Sequence, residues 1–181
     1  MPGDRLILRG RIAAKLGENI DTDLIYPGRY LNVTDREQTA EHLFELAFPD
    51  LRAALRPGDI ILAARNFGCG SSREQAAAAL KYAGVGAVIA PSFARIFYRN
   101  SINLGLPAIV SADAPAALNA GDEIEIDLAA GVIRKLPAGP VCHAAALDPR
   151  TRVPFRHGQA NRILRSDASM GHKAAVRHGQ R

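Results

Sequence analysis

Short apolar runs separated by glycine- and proline-containing turns characterise the middle of the chain. Three runs share an apolar composition and a length of four or five residues, which is typical of buried strands: residues 60–64, 87–90 and 107–110. Between them, residues 75–82 are rich in helix-forming residues, and residues 93–104 are predicted to form a second helix from the signals at their two ends. Ser92 is the predicted N-cap of the second helix, and Gly105 is its predicted C-terminal stop. This alternation of strands and helices predicts a parallel α/β core.

The segments on either side of this core predict one more helix and further strands. Residues 6–12 predict a first strand. Thr34 and Glu37 have the spacing of a capping box, and the helix that they open should end locally at Pro49. One face of this helix is apolar: Ala40, Leu43, Phe44, Ala47, Phe48 and Leu51. Residues 123–134 predict a hairpin, because acidic and apolar residues alternate in its first half.

The regular pattern ends after Gly139, and this change divides the chain in two. Residues 1–138 are predicted to form one domain and hold 15 Lys/Arg and 16 Asp/Glu, whereas residues 139–181 hold 8 and 2. Residues 148–181 show no sustained periodicity and are rich in arginine, histidine, glycine and serine, which predicts a flexible basic tail. The sequence leaves open whether this tail is natural or results from a shifted reading frame.

Composition and charge narrow the functional class. The formal net charge of +5 comes from the tail, so the domain has no basic excess that would predict nucleic-acid binding. No apolar run reaches membrane-spanning length and the first residues lack a signal-peptide pattern, so we expect a cytoplasmic protein that does not enter membranes. The two cysteines, Cys69 and Cys142, are too few for an iron–sulfur cluster, which normally takes three or four thiolates.

A glycine-rich turn between the first core strand and its helix carries the strongest functional signal. Residues 66–74 have the sequence Asn-Phe-Gly-Cys-Gly-Ser-Ser-Arg-Glu. The two glycines permit positive φ angles and let a ligand approach the backbone. The N–H groups at the start of the following helix favour an anion, and Arg73 offers a planar fork for a carboxylate. Ser71 and Ser72 add hydroxyls, so the motif predicts an anion-binding site in which a serine could also act as a base.

Other interpretations of this motif compete with the anion site. Either serine would form a capping box with the residue three positions later, Glu74 or Gln75, although a cap needs only one serine. The turn lacks the third glycine of a dinucleotide fingerprint, and the sequence contains no Walker A motif. Cys69 has no histidine nearby in sequence, which favours a small filler residue over a nucleophile.

Two further polar clusters have ordinary explanations. Residues 19–23, Asn-Ile-Asp-Thr-Asp, are better explained by Asx-turn chemistry than by a metal-binding loop, because too few ligands follow one another for an EF-hand. Arg95, Arg99 and Asn100 share one helical face by their spacing, and we expect that face to be solvated.

Three motifs, in order along the chain, resemble a known family. Residues 19–27, 66–74 and 94–107 are similar to the small-subunit family of 3-isopropylmalate dehydratase, the detached swivelling domain of the aconitase superfamily. The resemblance covers about residues 5–138. It implies an α/β swivel domain with a mixed, largely parallel sheet core flanked by helices. It also implies a large-subunit partner, in a heterodimer or heterotetramer, that carries a [4Fe–4S] cluster, whereas this chain holds no cofactor or metal and is inactive alone.

The resemblance also implies roles for individual residues. Ser71 matches the base that removes the proton α to a carboxylate, and Arg73 matches the arginine that binds a substrate carboxylate. The other substrate-binding residues that it implies are Thr22, Asp23, Arg29, Tyr30, Leu31, Asn32, Val33, Gly70 and Ser72. The implied reaction is the isomerisation of 2-isopropylmalate, a 2-hydroxy dicarboxylic acid, to 3-isopropylmalate by dehydration and rehydration, a step of leucine biosynthesis.

The loop that follows Pro27 bears on substrate choice within the family. Tyr30, Leu31 and Val33 would line an apolar pocket for a branched side chain, whereas an arginine in place of Asn32 would suit the extra carboxylate of homoaconitate. Related hydratases that act on homoaconitate, dimethylmalate or similar acids share the three motifs and stay open as alternatives. A stand-alone anion-binding regulatory module stays open as an alternative from another class.

Overall fold

The computed structural model describes residues 7–71 and 73–145, which form one mixed sheet with helices packed against it. The strands are β1 (Ile7–Leu16), β2 (Ile60–Ala63), β3 (Ala87–Ala90), β4 (Ala108–Val110), β5 (Glu123–Asp127), β6 (Val132–Lys135) and β7 (Val141–His143). Their order across the sheet is β4-β3-β2-β1-β5-β6-β7. The first four strands pair in parallel, and β5, β6 and β7 continue the sheet from β1 by antiparallel pairing. The predicted α/β class with a mixed sheet is confirmed.

Helices lie between the strands, and the two that join β2 to β3 and β3 to β4 are where the sequence pattern predicts them. They are α1 (Thr22–Ile25), α2 (Arg36–Glu41), α3 (Pro49–Ala54), α4 (Glu74–Tyr82), α5 (Arg95–Leu104) and α6 (Ala114–Ala117). Helix α4 joins β2 to β3 and α5 joins β3 to β4, because parallel strands need a crossover that returns the chain to the same end of the sheet. Gly105 ends α5 with a φ of 72°, a left-handed value that glycine adopts readily, as predicted.

The side chains of β2 alternate between two apolar clusters, one on each face of the sheet. Ile61 and Ala63 belong to the cluster that includes residues of α4 and α5, whereas Ile60 and Leu62 belong to the cluster that includes residues of α6 and of the antiparallel strands. All four are at most 1% exposed. Burial of each large aliphatic side chain stabilises the fold by about 1.5–3 kcal/mol. The uninterrupted apolar run thus reflects a strand that is covered on both faces.

The predicted hairpin near the end of the domain is confirmed as β5 and β6. Ile124 and Ile126 are fully buried, whereas Glu123, the first residue of the strand, is exposed. Glu125 pairs with Arg9 of β1, with 2.6 Å between Oε2 and Nη2. The apolar residues of β5 therefore face the core, and Glu123 and Glu125 lie on the other face, whereas Asp127 at the end of the strand is 5% exposed.

The predicted helix between Thr34 and Pro49 is wrong in its start, its continuity and its end. Asp35, and not Thr34, caps α2 by accepting a backbone N–H of the first turn at 2.9 Å. The helix stops before Phe44, which has a φ of 57° and donates its N–H to the carbonyl of Ile25 at 2.8 Å. Pro49 begins α3, since the first turn of a helix does not need the missing N–H. Burial of the Phe44 side chain, which is 0% exposed, overrides the local helical pattern.

The predicted N-cap of α5 is also wrong. Ala94 occupies that position and provides no side-chain cap. The Oγ of Ser92 instead accepts a hydrogen bond from the N–H of Asn66 at 2.9 Å. This bond joins the loop after β3 to the loop after β2, a partnership that local spacing cannot reveal because the two residues are 26 positions apart.

The sheet continues past residue 138, where the sequence pattern places the end of the domain. Strand β7 pairs with β6, and its Cys142 is 1% exposed within the second apolar cluster. A strand of three residues is too short to produce a recognisable alternation. The remainder of the predicted tail, residues 146–181, lies outside the described residues.

Candidate functional site

The loops that follow β1, β2 and β3 meet at one edge of the sheet. Because these strands are parallel, their carboxyl ends face the same way. Isolated backbone bridges join the loops beyond the strand ends, one between Asp21 and Cys69 and one between Phe67 and Phe93. Open α/β sheets bind ligands at the carboxyl ends of their parallel strands. This edge is therefore the candidate site.

Two glycines allow the loop after β2 to turn tightly against its neighbours. Gly68 and Gly70 have φ angles of 76° and 83°. A Cβ on Gly68 would lie 2.2 Å from Cγ of Phe97, and a Cβ on Gly70 would lie 1.9 Å from Oδ2 of Asp21. Both positions require glycine for two reasons, the backbone angle and the absence of space. The turn brings Ser71 to the surface beside the loop after β1.

An open cavity of about 200 Å³ lies beside this turn. Its lining residues are Thr22, Gly68, Gly70, Ser71, Arg73, Ala94, Arg95, Ile96 and Phe97. Four residues of the predicted site are among them: Thr22, Gly70, Ser71 and Arg73. Ser72 lies outside the described residues. The structure thus brings the glycine-rich turn, the residues after β1 and the start of α5 together around one space.

Ser71 is exposed at the wall of this cavity. Its carbonyl oxygen accepts a hydrogen bond from Oγ1 of Thr22 at 2.9 Å, and the N–H of Thr22 donates to the carbonyl of Cys69 at 2.9 Å. Thr22 is 1% exposed, so it fixes the backbone that presents Ser71. The N-cap of α4 is Arg73, so Ser71 does not occupy the capping position. Within residues 7–71 and 73–145, the Ser71 hydroxyl has no hydrogen-bond partner.

Arg73 is held between the cavity and the residues that follow α1. Its Nη1 contacts Oδ1 of Asp23, and the same oxygen accepts the N–H of Gly28 at 3.1 Å. A Cβ on Gly28 would lie 2.7 Å from Nη1 of Arg73, so the guanidinium packs directly against this glycine. Asp23, a predicted substrate-binding residue, orients Arg73 here. A guanidinium carries five N–H donors, so the fork can hold Asp23 and a second carboxylate together.

The first turn of α5 supplies part of the cavity wall that sequence reasoning missed. Ala94, Arg95, Ile96 and Phe97 line the cavity. The first N–H groups of a helix have no partner within the helix, which favours negative charge at this end. Arg95 is exposed, as expected for a solvated face, but it also lines the same cavity as Arg73. Its place directly after the loop that follows β3 is the sequence signal that could have identified it.

The predicted substrate loop begins next to Arg73 but lies outside the lining of the cavity. Five predicted residues are in this position: Arg29, Tyr30, Leu31, Asn32 and Val33. Arg29 and Asn32 are exposed, and the other three are partly buried. Oη of Tyr26 donates to the carbonyl of Tyr30 at 2.9 Å. Arg29 forms an ion pair with Glu45, with 2.7 Å between Nη2 and Oε1.

Cys69 has the properties of a packing residue. Burial, and secondly the Asp21 carboxylate, raise the pKa of the Cys69 thiol above its ordinary value. A thiol with a raised pKa stays protonated at neutral pH and is a poor nucleophile. The structure therefore agrees with the interpretation of Cys69 as a small filler.

Residues 19–23 adopt turn chemistry, as predicted. Oδ1 of Asp21 accepts the N–H of Asp23 at 2.7 Å and caps α1. Nδ2 of Asn66 donates to Oδ1 of Asn19 at 2.8 Å. Among residues 7–71 and 73–145, no group of three or more His, Cys, Asp or Glu side chains is placed to hold a metal ion. The same residues form no helix that is both long and apolar enough to span a bilayer.

Known proteins resemble this chain over most of its described length. A family model for the aconitase C-terminal domain matches residues 7–113. The methanogen homoaconitase small subunit of Methanothermobacter thermautotrophicus is 56% identical over 133 residues, which are 74% of this chain and 76% of the relative. The 3-isopropylmalate dehydratase small subunit of Moorella thermoacetica is 49% identical over 144 residues, which are 80% of this chain and 86% of the relative.

A solved structure agrees with these sequence matches. The crystal structure of 3-isopropylmalate dehydratase from Methanocaldococcus jannaschii superposes with a TM-score of 0.75 at 42% identity, and the match covers 81% of this chain and 86% of that one. Every residue that lines the cavity lies within the range matched by the family model. The chain belongs to the aconitase C-terminal domain family.

Proposed function

We propose that this chain is the small subunit of a hydro-lyase of the 3-isopropylmalate dehydratase type and that it acts with a large subunit in the cytoplasm. The observation that carries the proposal is the cavity at which Ser71 meets two arginines, Arg73 and Arg95. The relatives add support, since those at about 50% identity are named as small subunits of such enzymes. The chain spans 86% of the Moorella relative, so the similarity extends over nearly the whole of that subunit.

Ser71 is the proposed general base. As an alkoxide, its oxygen takes the proton from the carbon α to a carboxylate, and the electrons of the broken C–H bond form the new C=C bond. The C–O bond of the substrate hydroxyl breaks at the same time, and the hydroxyl group leaves with the electrons of that bond, which the Lewis acid of the large subunit would accept. A serine oxygen accepts a proton only if negative charge on it is stabilised, and Arg73 and Arg95 bring positive charge to the same cavity. The hydrogen bond from Thr22 to the Ser71 carbonyl keeps the base in position.

The two arginines are the proposed partners of the substrate carboxylates. A 2-hydroxy dicarboxylic acid carries two negative charges, and Arg73 can bind one carboxylate with two parallel hydrogen bonds. Arg95 lies at the first turn of α5, where the helix dipole adds to its charge. The cavity volume of about 200 Å³ is below the roughly 300–1,000 Å³ of drug-sized ligand sites, which fits a small acid and a site completed by a partner.

The iron–sulfur cluster of the proposed enzyme would belong to the large subunit, where it supplies a Lewis acid for the substrate hydroxyl. The residues of this chain do not fit the role of cluster ligands. Cys69 lies in the loop after β2 and Cys142 in β7, and these two are the only cysteines of the sequence. A cluster normally takes three or four thiolates.

The charge of the loop at residues 28–33 supports a substrate with an apolar substituent. The loop contains one cation, Arg29, and Glu45 neutralises it. Asn32 is neutral and exposed. A third carboxylate, as in homoaconitate, would meet no free cation of this loop, whereas an isopropyl group needs none. The homoaconitase small subunit at 56% identity nevertheless makes homoaconitate the second candidate.

Reconstitution of the full chain with its large subunit tests the proposal. The assay compares kcat/KM for 2-isopropylmalate, homoaconitate and dimethylmalate, with the Moorella small subunit as the positive control. We expect the highest value for 2-isopropylmalate, and neither iron nor turnover in the chain alone. A preference for homoaconitate would favour the second candidate. Absence of turnover with all three acids, beside an active control, would refute the hydro-lyase assignment in favour of an anion-binding module.

A further inference from the structure

Glu45 lies at the centre of a polar network that holds the loop at residues 28–33. Its Oε1 accepts from Nη2 of Arg29 at 2.7 Å and from Oη of Tyr30 at 3.0 Å. Its Oε2 lies 2.7 Å from Nδ1 of His42. One carboxylate therefore contacts two consecutive residues of the loop and one residue of the segment after α2. We call these four residues, Arg29, Tyr30, His42 and Glu45, the Glu45 network.

Ring contacts reinforce the same arrangement. The rings of Tyr30 and His42 stack with 3.5 Å between their centroids and an interplanar angle of 5°. The guanidinium carbon of Arg29 lies 4.7 Å from the centre of the Tyr30 ring. Oη of Tyr26, a side chain that is 0% exposed, donates to the carbonyl of Tyr30 at 2.9 Å. Tyr30 is thus fixed by its ring, its hydroxyl and its backbone.

Gly28 connects the Glu45 network to the candidate site. Gly28, the residue before Arg29, donates its N–H to the Asp23 oxygen that also holds Arg73. The guanidinium of Arg73 packs closely against Gly28, since a Cβ on Gly28 would lie 2.7 Å from Nη1 of Arg73 and could be accommodated only by moving that side chain. A shift of the loop would therefore displace the guanidinium of Arg73, which we propose binds a substrate carboxylate.

The charge of the network has a direct consequence for ligand recognition. Partial burial opposes ionisation of Glu45, but hydrogen bonds from His42, Tyr30 and Arg29 outweigh it and lower the pKa of the Glu45 carboxyl. Glu45 is therefore ionised at neutral pH and cancels the charge of Arg29. Without Glu45, the arginine would be an exposed cation on a flexible stem, next to a site that binds carboxylates.

We propose that Glu45 is a specificity-determining residue: it withdraws Arg29 from the substrate and anchors Tyr30, so that residues 28–33 present an uncharged surface to the substituent of the acid. This inference rests on the proposed function and adds to it a role for Glu45, a residue that does not line the cavity. Glu45 acts through Arg29 and Tyr30 and is therefore a positioning residue. It selects a dicarboxylate with an apolar substituent over a tricarboxylate.

The first arm of the test measures the anchoring in the full-length chain without any substrate. Hydrogen exchange is followed at the amides of Tyr30, Leu31 and Val33, which all form hydrogen bonds within the loop. We expect Glu45→Gln to accelerate their exchange by about fivefold or more. Glu125→Gln, which removes an arginine–carboxylate contact on β5, is the matched control and should leave these amides unchanged. Equal exchange in both variants would overturn the anchoring.

The second arm measures specificity in the reconstituted pair. The ratio of kcat/KM for homoaconitate to kcat/KM for 2-isopropylmalate should rise about fivefold or more in Glu45→Gln, through a lower KM for homoaconitate. The double variant Arg29→Gln/Glu45→Gln should lose this gain, because the released cation is gone. A merely structural Glu45 would lower the melting temperature and leave the ratio unchanged, which would overturn the specificity role.

The two arms separate failure of this inference from failure of the proposed function. If the wild-type pair turns over neither acid, the hydro-lyase assignment fails and the specificity role fails with it. The exchange experiment still decides whether Glu45 anchors the loop. If the wild-type pair is active and the ratio is insensitive to both variants, only the role of Glu45 is refuted.

Discussion

The parallel and antiparallel parts of the sheet use the same kind of buried strand but different connections. In the parallel part, Gly68 and Gly70 have positive φ angles and neighbours that leave no room for a Cβ. In the antiparallel part, Gly121 has a φ of 91°, yet apart from its two chain neighbours no described residue lies within 4 Å of the position that its Cβ would take. Crowding, rather than the backbone angle, therefore separates Gly68 and Gly70 of the candidate site from Gly121.

The polar side chains of the two parts of the sheet also differ in what they contact. In the antiparallel part, Asp122 pairs with Lys135 at 2.8 Å at the surface. In the parallel part, Ser71, Arg73 and Arg95 border a cavity. The guanidinium of Arg73 also contacts the Asp23 carboxylate. The first arrangement satisfies its groups within the chain, whereas the second leaves them beside an open cavity. Substitutions should therefore affect catalysis in the parallel part and only stability in the antiparallel part.

The largest expected effect is on turnover by Ser71→Ala in the reconstituted pair. If Ser71 moves the proton, its loss should lower kcat by about 10²–10⁴-fold and leave KM nearly unchanged. The melting temperature should not change, because the Ser71 hydroxyl holds no other described residue and the N-cap of α4 is Arg73. Steady-state kinetics and thermal unfolding of the same preparation check both statements.

The opposite outcome for Ser71→Ala would contradict the catalytic assignment. A variant that keeps full kcat but loses about 1 kcal/mol of stability would be the result expected of a helix cap. Thr22→Val is an informative companion variant, because it removes the bond that positions the Ser71 backbone and keeps the buried volume. It should lower kcat less than Ser71→Ala does.

The next largest effect is a loss of stability by Gly68→Ala. Strain at a φ of 76° and the contact with Phe97 should together cost about 2–5 kcal/mol. Gly121→Ala is the control in the antiparallel part, where only the backbone strain of about 1–2 kcal/mol applies. Urea unfolding of the two variants measures the difference. Equal losses would show that crowding does not distinguish the two parts.

Sequence patterns predicted the elements whose signal is local. The apolar runs became β2, β3 and β4, and the acidic–apolar alternation became the hairpin of β5 and β6. The segment between Thr34 and Pro49 was mispredicted, because Phe44 turns into the core with a left-handed backbone that no local preference favours. Strand β7 was missed because three residues carry no usable period.

The candidate site was predictable where its residues stand together in the sequence, and it was not predictable where it depends on contacts between distant residues. The glycine-rich turn with Ser71 and Arg73 stands in one stretch of sequence, and the structure places both residues at the cavity. Arg95 joins them only because β2 and β3 end at the same edge of the sheet. The contact of Arg73 with Asp23 and that of Arg29 with Glu45 connect residues that are 50 and 16 positions apart, so neither follows from local spacing.

A smaller effect on catalysis is expected for Arg73→Lys. Lysine keeps the charge but cannot form two parallel hydrogen bonds to a carboxylate, so KM should rise and kcat should fall, with a combined loss of about 10–100-fold in kcat/KM. Arg134→Lys, in β6, is the control in the antiparallel part and should leave both constants unchanged. Unchanged kinetics in Arg73→Lys would mean that Arg73 only pairs with Asp23 and binds no substrate.

The smallest effect is expected for Asp122→Asn in the antiparallel part. Hydrogen bonds from Lys135 and then from the N–H of Asn119 lower the pKa of the Asp122 carboxyl in the folded chain. A folded pKa below the unfolded value, about 3.9, means that the ionised group stabilises the fold above that pH and loses this effect as the pH falls through the lower folded value. Asp122→Asn should therefore lower the melting temperature by about 1–2 °C between pH 6 and 8, as is typical of a surface pair, and the difference should shrink in acid and vanish only below the lowered folded pKa of Asp122. Turnover of the reconstituted pair should be unaffected. A loss of activity in this variant, or a temperature difference that grows in acid, would contradict the division of the sheet into a part that serves the site and a part that only supports it.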